Sequence, residues 1–552
     1  MKDLVVRGGL VVDGTGGPPR VADVRVIGDV ITEVGPNLHG DDVIDAGGCI
    51  VAPGFIDVHT HYDAQVFWDP MFSSSCYHGV TSVIAGNCGF TLAPSHDTDR
   101  DLITRTLQAV EDMSLATLEA GVVWDFTSFG DYLRLIERRG VGLNFGCYVG
   151  HSATRIFVMG DEAHERHATD DEIAQMRHHV SESIAAGAIG LSSSYSISHR
   201  LDGQRPVASR ASTADEFIAL ASVLGELERG VVIVAPGSPV SYRDLYAMQP
   251  LIGRPCMWTP MITNFPEADY RDAMRVHAEG RATGADVYAQ VSPRPLGARM
   301  TLAHPYMFRP TPSFQQIESF DNDHRRRFYS DAGWRDQAWQ EMQTILNPRL
   351  DWSRIRVAES SVHPELVGVD LATIAGATGR NPFDVYCELS LAEDLGTQFI
   401  AQVSNFDPDD VAALITQPGV LVGQSDAGAH VAQLCDASTP TDLLAWFVRD
   451  RDVLSIERAV RMLTGQLADL FGLGGRGVIT PGAAADIAVF DLQRLDAGPV
   501  RRVRDLPGNQ DRLVADQPVG QVHLLVNGQP VRLDERPLAP TALPGQVLRP
   551  SS

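Results

Sequence analysis

The stretch Val51-Ala-Pro-Gly-Phe-Ile-Asp-Val-His59-Thr-His61 is an apolar run that ends in two histidines separated by a single residue. Side chains of a strand alternate between its two faces, so positions i and i+2 point the same way. If this run is a strand, both imidazoles lie on one face at its end, where they can bind one metal ion. A pair of surface histidines would show the same spacing, so the metal hypothesis needs support from elsewhere in the chain.

Two later segments repeat the arrangement of an apolar run followed by a metal-binding side chain. The run that begins at Val80 leads to the thiol of Cys88, and the run that begins at Val420 leads to the carboxylate of Asp426. Imidazole, thiolate and carboxylate groups are all ligands of zinc. Functional residues at the carboxyl ends of several parallel strands are typical of a (β/α)8 barrel enzyme. The three segments together predict a metal centre at the top of such a barrel.

The chain between residues 55 and 465 alternates apolar, β-rich runs with helical patterns, which indicates an α/β fold and a (β/α)8 TIM barrel. A polar start at Asp170 and apolar residues at Ile173, Met176 and Val180 predict one of its helices. The candidate strands are eight, and they end near His61, Cys88, Gly150, Ser193, Pro236, Thr263, Val291 and Asp426.

The sequence pattern at the two ends of the chain differs from the pattern in the middle. Residues 1–54 and 466–552 contain short apolar runs separated by glycine turns, which predicts a small β-sandwich domain built from both termini.

About 130 residues separate the seventh and eighth candidate strands, far more than a normal βα connection needs. Residues 295–350, rich in Pro, Phe, Trp and Arg, are therefore interpreted as an insertion in the barrel domain.

Composition limits the classes of partner. The 552 residues carry a net charge of −25, which argues against nucleic acid and anionic membranes as partners and leaves a small-molecule substrate. No segment approaches the roughly 18 apolar residues of a membrane span. The seven cysteines show no C-x-x-C pair, which favours reduced thiols and a cytoplasmic location. A homo-oligomer is compatible with these observations.

Lysine is nearly absent, and this restricts the chemistry. Lys2 is the only lysine of the chain. Schiff-base lysines, P-loop lysines and Ser-Lys nucleophile pairs are therefore excluded, and a carboxylated lysine that bridges two metal ions is not expected either.

With His59-x-His61, Gly86-Asn-Cys88-Gly89 and Ser425-Asp426-Ala-Gly in this order, the chain resembles the amidohydrolase superfamily, and within it the N-acyl-D-amino-acid deacylase (D-aminoacylase-like) branch. The resemblance extends over nearly the full length. It implies zinc bound by the His-x-His pair, by the cysteine, and by one histidine each from the fifth and sixth strands. It also implies that Asp426 transfers protons, and that Cys88 replaces the carboxylated lysine of other branches.

The chain departs from this branch at two strand ends. The fifth candidate strand ends in Ala235-Pro236 and the sixth leads to Thr259-Pro260, where the resemblance implies histidines. The next downstream histidine, His277, lies in a helical pattern. Two ligands of the second metal ion are thus missing. We therefore expect a single divalent ion, with zinc favoured if Cys88 binds it, held by His59, His61, Cys88 and Asp426.

Five further residues are candidates for binding the substrate. His151 follows the third candidate strand and His199 follows the fourth, so both are expected on the active-site side, where either could also replace a lost ligand. His430 lies four residues after Asp426 and could turn inward. Arg155 and Arg294 are candidate carboxylate binders, because guanidinium groups pair bidentately with carboxylates.

The leading hypothesis is a metal-dependent hydrolase that cleaves the C–N amide bond of an N-acyl (D-)amino acid or a related small amide. A bound ion would lower the pKa of water from ~16 towards ~7, and Asp426 would move the proton from the water to the leaving amine. An alternative is a non-hydrolytic member of the superfamily, such as a decarboxylase, isomerase or lyase. A third hypothesis is a metal-free binding protein, which the two missing ligands would favour.

Overall fold

Eight parallel strand positions follow one another along the chain in the computed structural model, which describes residues 3–201, 205–263, 269–346, 350–538 and 543–550. Among the described residues they pair as a three-stranded and a six-stranded sheet instead of one closed ring. A parallel bridge between Thr60 and Ala427 joins the chain just after the first strand to the chain just after the last. The strands are Phe55–Asp57, Val80–Ala85, Asn144–Cys147 with Val149–Gly150, Gly190–Ser194, Val231–Ala235, Cys256–Trp258, Val287–Val291 and Val420–Val422.

The strands are buried because both of their faces are covered. Every residue of Val80–Ala85, Gly190–Ser194 and Val231–Ala235 is buried. The connecting helices and the helices after the last strand are Arg100–Glu111, Leu115–Gly121, Phe129–Arg139, His151–Met159, Asp170–Ala186, Ala214–Glu226, Leu245–Ile252, Tyr270–Ala282, Pro408–Ile415, Thr439–Asp442, Ile456–Leu463 and Gly465–Phe471, with a π-helix over Leu443–Asp450.

The helix predicted from the run at Asp170 is confirmed as Asp170–Ala186. The Thr169 hydroxyl accepts a hydrogen bond from the backbone N–H of Glu172, and the Glu172 carboxylate accepts one from Thr169, so the first turn is capped in both directions. Met176 and Val180 are fully buried. The helix ends at Gly187, whose φ of 117° continues the chain in a left-handed conformation.

The two termini pair in one sheet, whereas the sequence predicted a sandwich. The order across the sheet is Arg536–Pro537, Gln529–Leu533, Gln521–Val526, Ile487–Phe490, Ile50–Pro53, Asp3–Val11, Arg20–Ile27 and Val30–Gly35, with Asp42–Asp45 also paired to Asp3–Val11. Val26 and Ile31, near one end of this order, share an apolar core with Leu525, near the other end. The expected two layers are therefore parts of one continuous sheet that bends around its own core.

The chain divides into two compact units, Met1–Arg294 with Asp407–Ser552, and Pro295–Phe406. The sequence analysis interpreted residues 295–350 as an insertion, and the second unit includes these residues. It has an aromatic core of its own, which includes Phe308, Phe314 and Phe383. It contains an antiparallel sheet of Leu296–Met300, Gln398–Ser404 and Ile355–Glu359, and the helices Pro312–Gln316, Asn322–Ser330, Ala332–Ile345, Leu371–Thr378 and Pro382–Ala392. Among the described residues, no helix has both the length and the apolar character needed to cross a membrane.

Candidate metal centre and the cavity beside it

The four predicted metal ligands lie together at the carboxyl ends of the first, second and eighth parallel strands. Asp426 Oδ1 is 3.0 Å from His59 Nε2 and 3.7 Å from His61 Nε2. Cys88 Sγ is 4.0 Å from His59 Nε2. The ligand atoms of His59, His61 and Cys88 all lie within 4.8 Å of one another, and all three residues are buried. Residues from three separate segments of the chain, up to 367 positions apart, thus meet at one point.

These distances fit one tetrahedral ion. Zinc bonds of about 2.0 Å to nitrogen or oxygen and about 2.3 Å to sulfur place neighbouring ligand atoms roughly 3.3 to 3.7 Å apart. The separations of 3.0, 3.7 and 4.0 Å among His59, His61, Asp426 and Cys88 bracket this range. The side chains present therefore suit a single divalent metal ion, with two imidazoles and a thiolate as its donors and the Asp426 carboxylate beside the fourth position.

Each histidine is oriented by a second residue that the sequence analysis did not identify. His59 Nδ1 donates to Gln290 Oε1 at 2.7 Å, which leaves Nε2 with its lone pair facing Asp426. The Gln290 amide nitrogen lies 3.9 Å from Met257 Sδ, consistent with its oxygen facing His59. His61 Nδ1 lies 3.1 Å from Glu111 Oε1, an ion-pair contact whose angle falls outside that of a hydrogen bond. Metal-bound histidines commonly use their other ring nitrogen in this way, which fixes the tautomer and the ring orientation.

Gln290 could have been found from the sequence, whereas Glu111 could not. Gln290 is a polar residue near the end of the apolar seventh strand, Val287–Val291, a position that faces the site in this fold. Glu111 is the last residue of the helix Arg100–Glu111 and is 2% exposed. Glu111 differs from the many exposed acidic residues of the chain only in its burial, which the sequence does not show.

A strained turn places Cys88 beside the histidines. Gly86, Cys88 and Gly89 all have positive φ, and Cys88, at φ 57° and ψ 9°, is in the left-handed region that costs a non-glycine residue of order 1 kcal/mol or more. The Asn87 amide donates to the carbonyl oxygens of Thr60 and Ile84, both at 3.1 Å. The turn is thereby tied to the chain segment that carries the two histidines.

The carboxylate of Asp426 is held by a link between the first and last strands. The Ser425 hydroxyl donates to Asp57 Oδ2 at 2.6 Å, and the His61 backbone N–H donates to the Ala427 carbonyl at 2.7 Å. Asp426 itself has a φ of 46°, another left-handed conformation in the turn after the strand. Its side chain is 24% exposed, more than the imidazoles, whose exposures are 2% and 4%.

The electrostatics of the centre favour positive charge. Burial opposes a charge on His59, yet Asp426 and Cys88 raise the pKa of its imidazole to about 10. Burial likewise opposes a charge on His61, but Glu111, Asp426 and Cys88 raise its pKa well above the ordinary value. Burial also opposes ionisation of Asp426, whose pKa the two histidines hold well below the usual range. A bound divalent cation would supply the positive charge that Asp426, Cys88 and Glu111 stabilise, and the two imidazoles would then remain neutral.

A cavity of about 600 Å³ opens beside the centre. His59, Cys88 and Asp426 form part of its wall. Ala235 and Thr259, which stand where the resemblance implied the missing metal-binding histidines, form another part. His277 lies in the helix Tyr270–Ala282, as predicted. Its Nδ1 is 2.8 Å from the Tyr246 hydroxyl, and its Nε2 is 3.1 Å from the Pro418 carbonyl oxygen.

The predicted substrate-binding residues fall into two groups. His199 lines the cavity, and its Nδ1 is 2.6 Å from the Ser194 hydroxyl. Burial lowers the pKa of His199 to about 4, so this imidazole is neutral near pH 7. The backbone N–H of His430 donates to the Glu111 carbonyl at 2.6 Å, which places His430 beside the helix end that supports His61.

His151, Arg155 and Arg294, which the sequence analysis proposed as substrate binders, all have protein partners in the structure. Glu216 pairs with Arg155 Nη1 and accepts from His151 Nε2 at 2.9 Å, and all three side chains are at most 1% exposed. Arg294 pairs with Asp442 at 3.0 Å and with Asp436 at 3.4 Å. Carboxylates of the protein therefore already pair with the guanidinium groups of Arg155 and Arg294.

The chain is similar in sequence to several known proteins. The sequence profile of the amidohydrolase family matches residues 42–315 and 372–532. The chain is 30% identical over 537 residues to an uncharacterized protein of Mycobacterium tuberculosis, covering 90% of this chain and 85% of that protein. It is 29% identical over 570 residues to the N-acyl-D-aspartate deacylase of Alcaligenes xylosoxydans xylosoxydans, covering 99% of this chain and 95% of that enzyme.

A solved structure is similar over the same length. It is the N-acyl-D-glutamate deacylase from Bordetella bronchiseptica, complexed with zinc and a phosphonate inhibitor that mimics the tetrahedral intermediate of the reaction. The TM-score is 0.68 at 26% identity, and the match covers 99% of both chains.

Proposed function

Because this chain belongs to the amidohydrolase family, we propose that it hydrolyses an amide C–N bond with the help of one bound divalent metal ion, and that zinc is this ion. The observation that carries the proposal is the convergence of His59, His61 and Cys88, whose ligand atoms lie within 4.8 Å of one another, with Asp426 3.0 Å from His59. Three side chains can then hold a tetrahedral ion, and the fourth position, beside Asp426, is left for water. The relatives named for deacylation of N-acyl-D-aspartate and N-acyl-D-glutamate support an N-acyl amino acid or a related small amide as the substrate class.

The proposed roles follow from the placement of the side chains. When bound, the ion would polarise the scissile carbonyl and increase the acidity of water. His59, His61 and Cys88 are buried and hold the ion. Asp426 also contacts the site and is the most exposed of the four, so its carboxylate takes a proton from the attacking water and delivers it to the leaving amine. The net reaction adds water across the C–N bond to release an acid and an amine.

Metal analysis together with turnover tests the proposal. Protein purified without added metal and then equilibrated with zinc should hold about one ion per chain. His59→Asn and His61→Asn should each lower zinc content and amide hydrolysis at least tenfold, because each removes one ligand. His178→Asn is the matched control, because His178 is 66% exposed on a helix surface. Full turnover in the His59→Asn/His61→Asn double variant would refute the proposal.

The second candidate is a metal-dependent reaction without hydrolysis. It is favoured by Ala235 and Thr259 at the fifth and sixth strand ends, since loss of the second metal position suits a changed reaction. The products separate the two candidates. Release of equal amounts of acid and amine from an amide supports hydrolysis, whereas zinc-dependent turnover that leaves every amide bond intact supports the alternative.

A further inference from the structure

The residues that line the cavity beside the candidate metal centre indicate which chemical groups of a substrate could bind there. Its wall is formed largely by aromatic and aliphatic side chains of the loops after the fourth, fifth and sixth strands. The rings of Tyr242 and Trp258 stack with centroids 5.0 Å apart and an interplanar angle of 27°. Cavities of a few hundred Å³ that are lined in this way are typical of small-molecule sites.

Tyr270 is a third aromatic residue of the cavity wall. The polar atoms of Trp258 and Tyr270 form hydrogen bonds with other residues of the protein. Trp258 Nε1 donates to the Tyr246 hydroxyl at 3.1 Å, and the Tyr270 hydroxyl donates to Asp410. These side chains therefore present ring surface to the cavity. Ring surface stabilises aromatic and aliphatic ligand groups through burial and stacking, and it provides no counter-charge.

No lysine or arginine is among the described residues that line the cavity. The undescribed segments 202–204 and 264–268 contain no lysine or arginine either. The neighbouring Arg243 pairs with Asp272, and Arg210 donates to the Ile197 and His199 carbonyls. Asp244 adds an acidic group to the wall. Apart from the proposed metal ion, a carboxylate buried here would have no lysine or arginine partner among the described lining residues, and burying an unpaired charge costs several kcal/mol.

Two neutral polar groups do remain available in the cavity wall. Thr259 Oγ1 and Gln424 Oε1 are buried and have no hydrogen-bond partner among the described residues. Thr259 is 2% exposed and Gln424 is 7% exposed. Buried polar atoms in proteins normally form hydrogen bonds, so these two atoms are available to form hydrogen bonds with a ligand. A hydroxyl and a carbonyl oxygen suit an uncharged polar group, such as an amide N–H.

We infer that the substrate is an uncharged amide whose aromatic or aliphatic portion fills this cavity, and that an amide carrying a carboxylate on that portion is disfavoured. This inference rests on the proposed amide hydrolysis and narrows its substrate class from an N-acyl amino acid or a related small amide to uncharged amides, so that N-acyl amino acids with a free carboxylate are disfavoured. Thr259 and Gln424 bind the neutral polar group, and Tyr242 and Trp258 contact the ring or chain.

Two amides of the same shape test the inference, 4-methylacetanilide, which is neutral, and 4-acetamidobenzoate, which is anionic. With zinc-loaded protein, kcat/KM for acetate release should be at least tenfold higher for the neutral compound. Equal or faster hydrolysis of the anionic compound would overturn the inference while leaving the proposed function intact.

Calorimetric titration with the same two compounds keeps the test independent of turnover. Tyr242→Ala and Thr259→Val should each weaken binding of 4-methylacetanilide at least threefold, and Thr259→Ser should restore it. Leu251→Ala is the control, because Leu251 is 65% exposed and lies outside the cavity wall. Neutral-selective binding without hydrolysis would refute the proposed function alone. Equal or tighter binding of the anionic compound, or unchanged binding in both variants, would refute the inference.

Discussion

At the scale of single residues, the candidate centre depends on groups that never contact the metal position themselves. Gln290 and Glu111 each approach the Nδ1 atom of one histidine, so that both Nε2 atoms face Asp426. Without these partners an imidazole can rotate or adopt the other tautomer. The orientation of His59 and His61 is therefore a property of residues far away in the chain.

Gln290→Leu should weaken zinc binding about 10- to 100-fold, because the apolar side chain cannot accept the hydrogen bond of His59 Nδ1. Competition with a chromophoric chelator measures the affinity. Gln290→Glu is the matched variant, since it retains an acceptor of the same length, and its affinity should stay within a few-fold of the parent. Equal affinities in Gln290→Leu and the parent protein would show that His59 is oriented in some other way.

At the scale of elements, the buried group of Arg155, Glu216 and His151 joins two helices to the fourth strand. Arg155 and His151 lie in the helix His151–Met159, Glu216 lies in the helix Ala214–Glu226, and His151 Nδ1 is 2.9 Å from the Ser193 hydroxyl. Arg155 also donates to the carbonyls of Ala163 and Arg166. The group is fully satisfied, as buried charges must be.

Glu216→Gln should destabilise the protein by roughly 3 to 5 kcal/mol, because it removes the charge partner of a fully buried guanidinium. Urea unfolding measures the loss. Zinc affinity of the folded variant should be unchanged, since the three side chains do not approach His59 or His61. If the variant were as stable as the parent but no longer bound substrate, the prediction would be wrong, and Arg155 would have the substrate-binding role expected from the sequence.

At the scale of the whole molecule, buried neutral histidines make stability depend on pH. Burial lowers the pKa of His78, whose two ring nitrogens bond Thr441 and the Ala515 carbonyl, to about 4. Burial similarly lowers the pKa of His277 to about 4. Between pH 6.5 and 4 the unfolded chain binds protons at these positions and the folded chain does not. Stability is therefore fully present above about pH 6.5 and falls as the pH drops towards 4.

Each of these histidines should contribute at most about 3 kcal/mol to the loss of stability between pH 6.5 and 4. The apparent Tm at pH 7.5 and at pH 5.0 measures the effect. His78→Gln lowers Tm at pH 7.5 through its lost hydrogen bond, but its further drop on acidification should be smaller than that of the parent. An identical drop in both proteins would mean that His78 does not titrate as its burial requires.

Local patterns of the sequence determined much of this protein. The alternation of apolar runs and helical segments indicated eight strand positions, and the structure has strands at all eight. The positions of His59, Cys88 and Asp426 after three of these runs predicted which side chains would meet. Such patterns are readable because strand periodicity and strand ends are set by neighbouring residues.

Only the tertiary structure decided what surrounds the four predicted ligands. Glu111 and Gln290 reach the histidines across 50 and 231 positions of chain. Arg155 and Arg294 are held by carboxylates that no local pattern links to them. The cavity formed by Ala235, Thr259 and the stacked rings likewise depends on separate loops. Burial and pairing of charged groups are set by long-range packing, whereas the strands and their terminal residues are set locally.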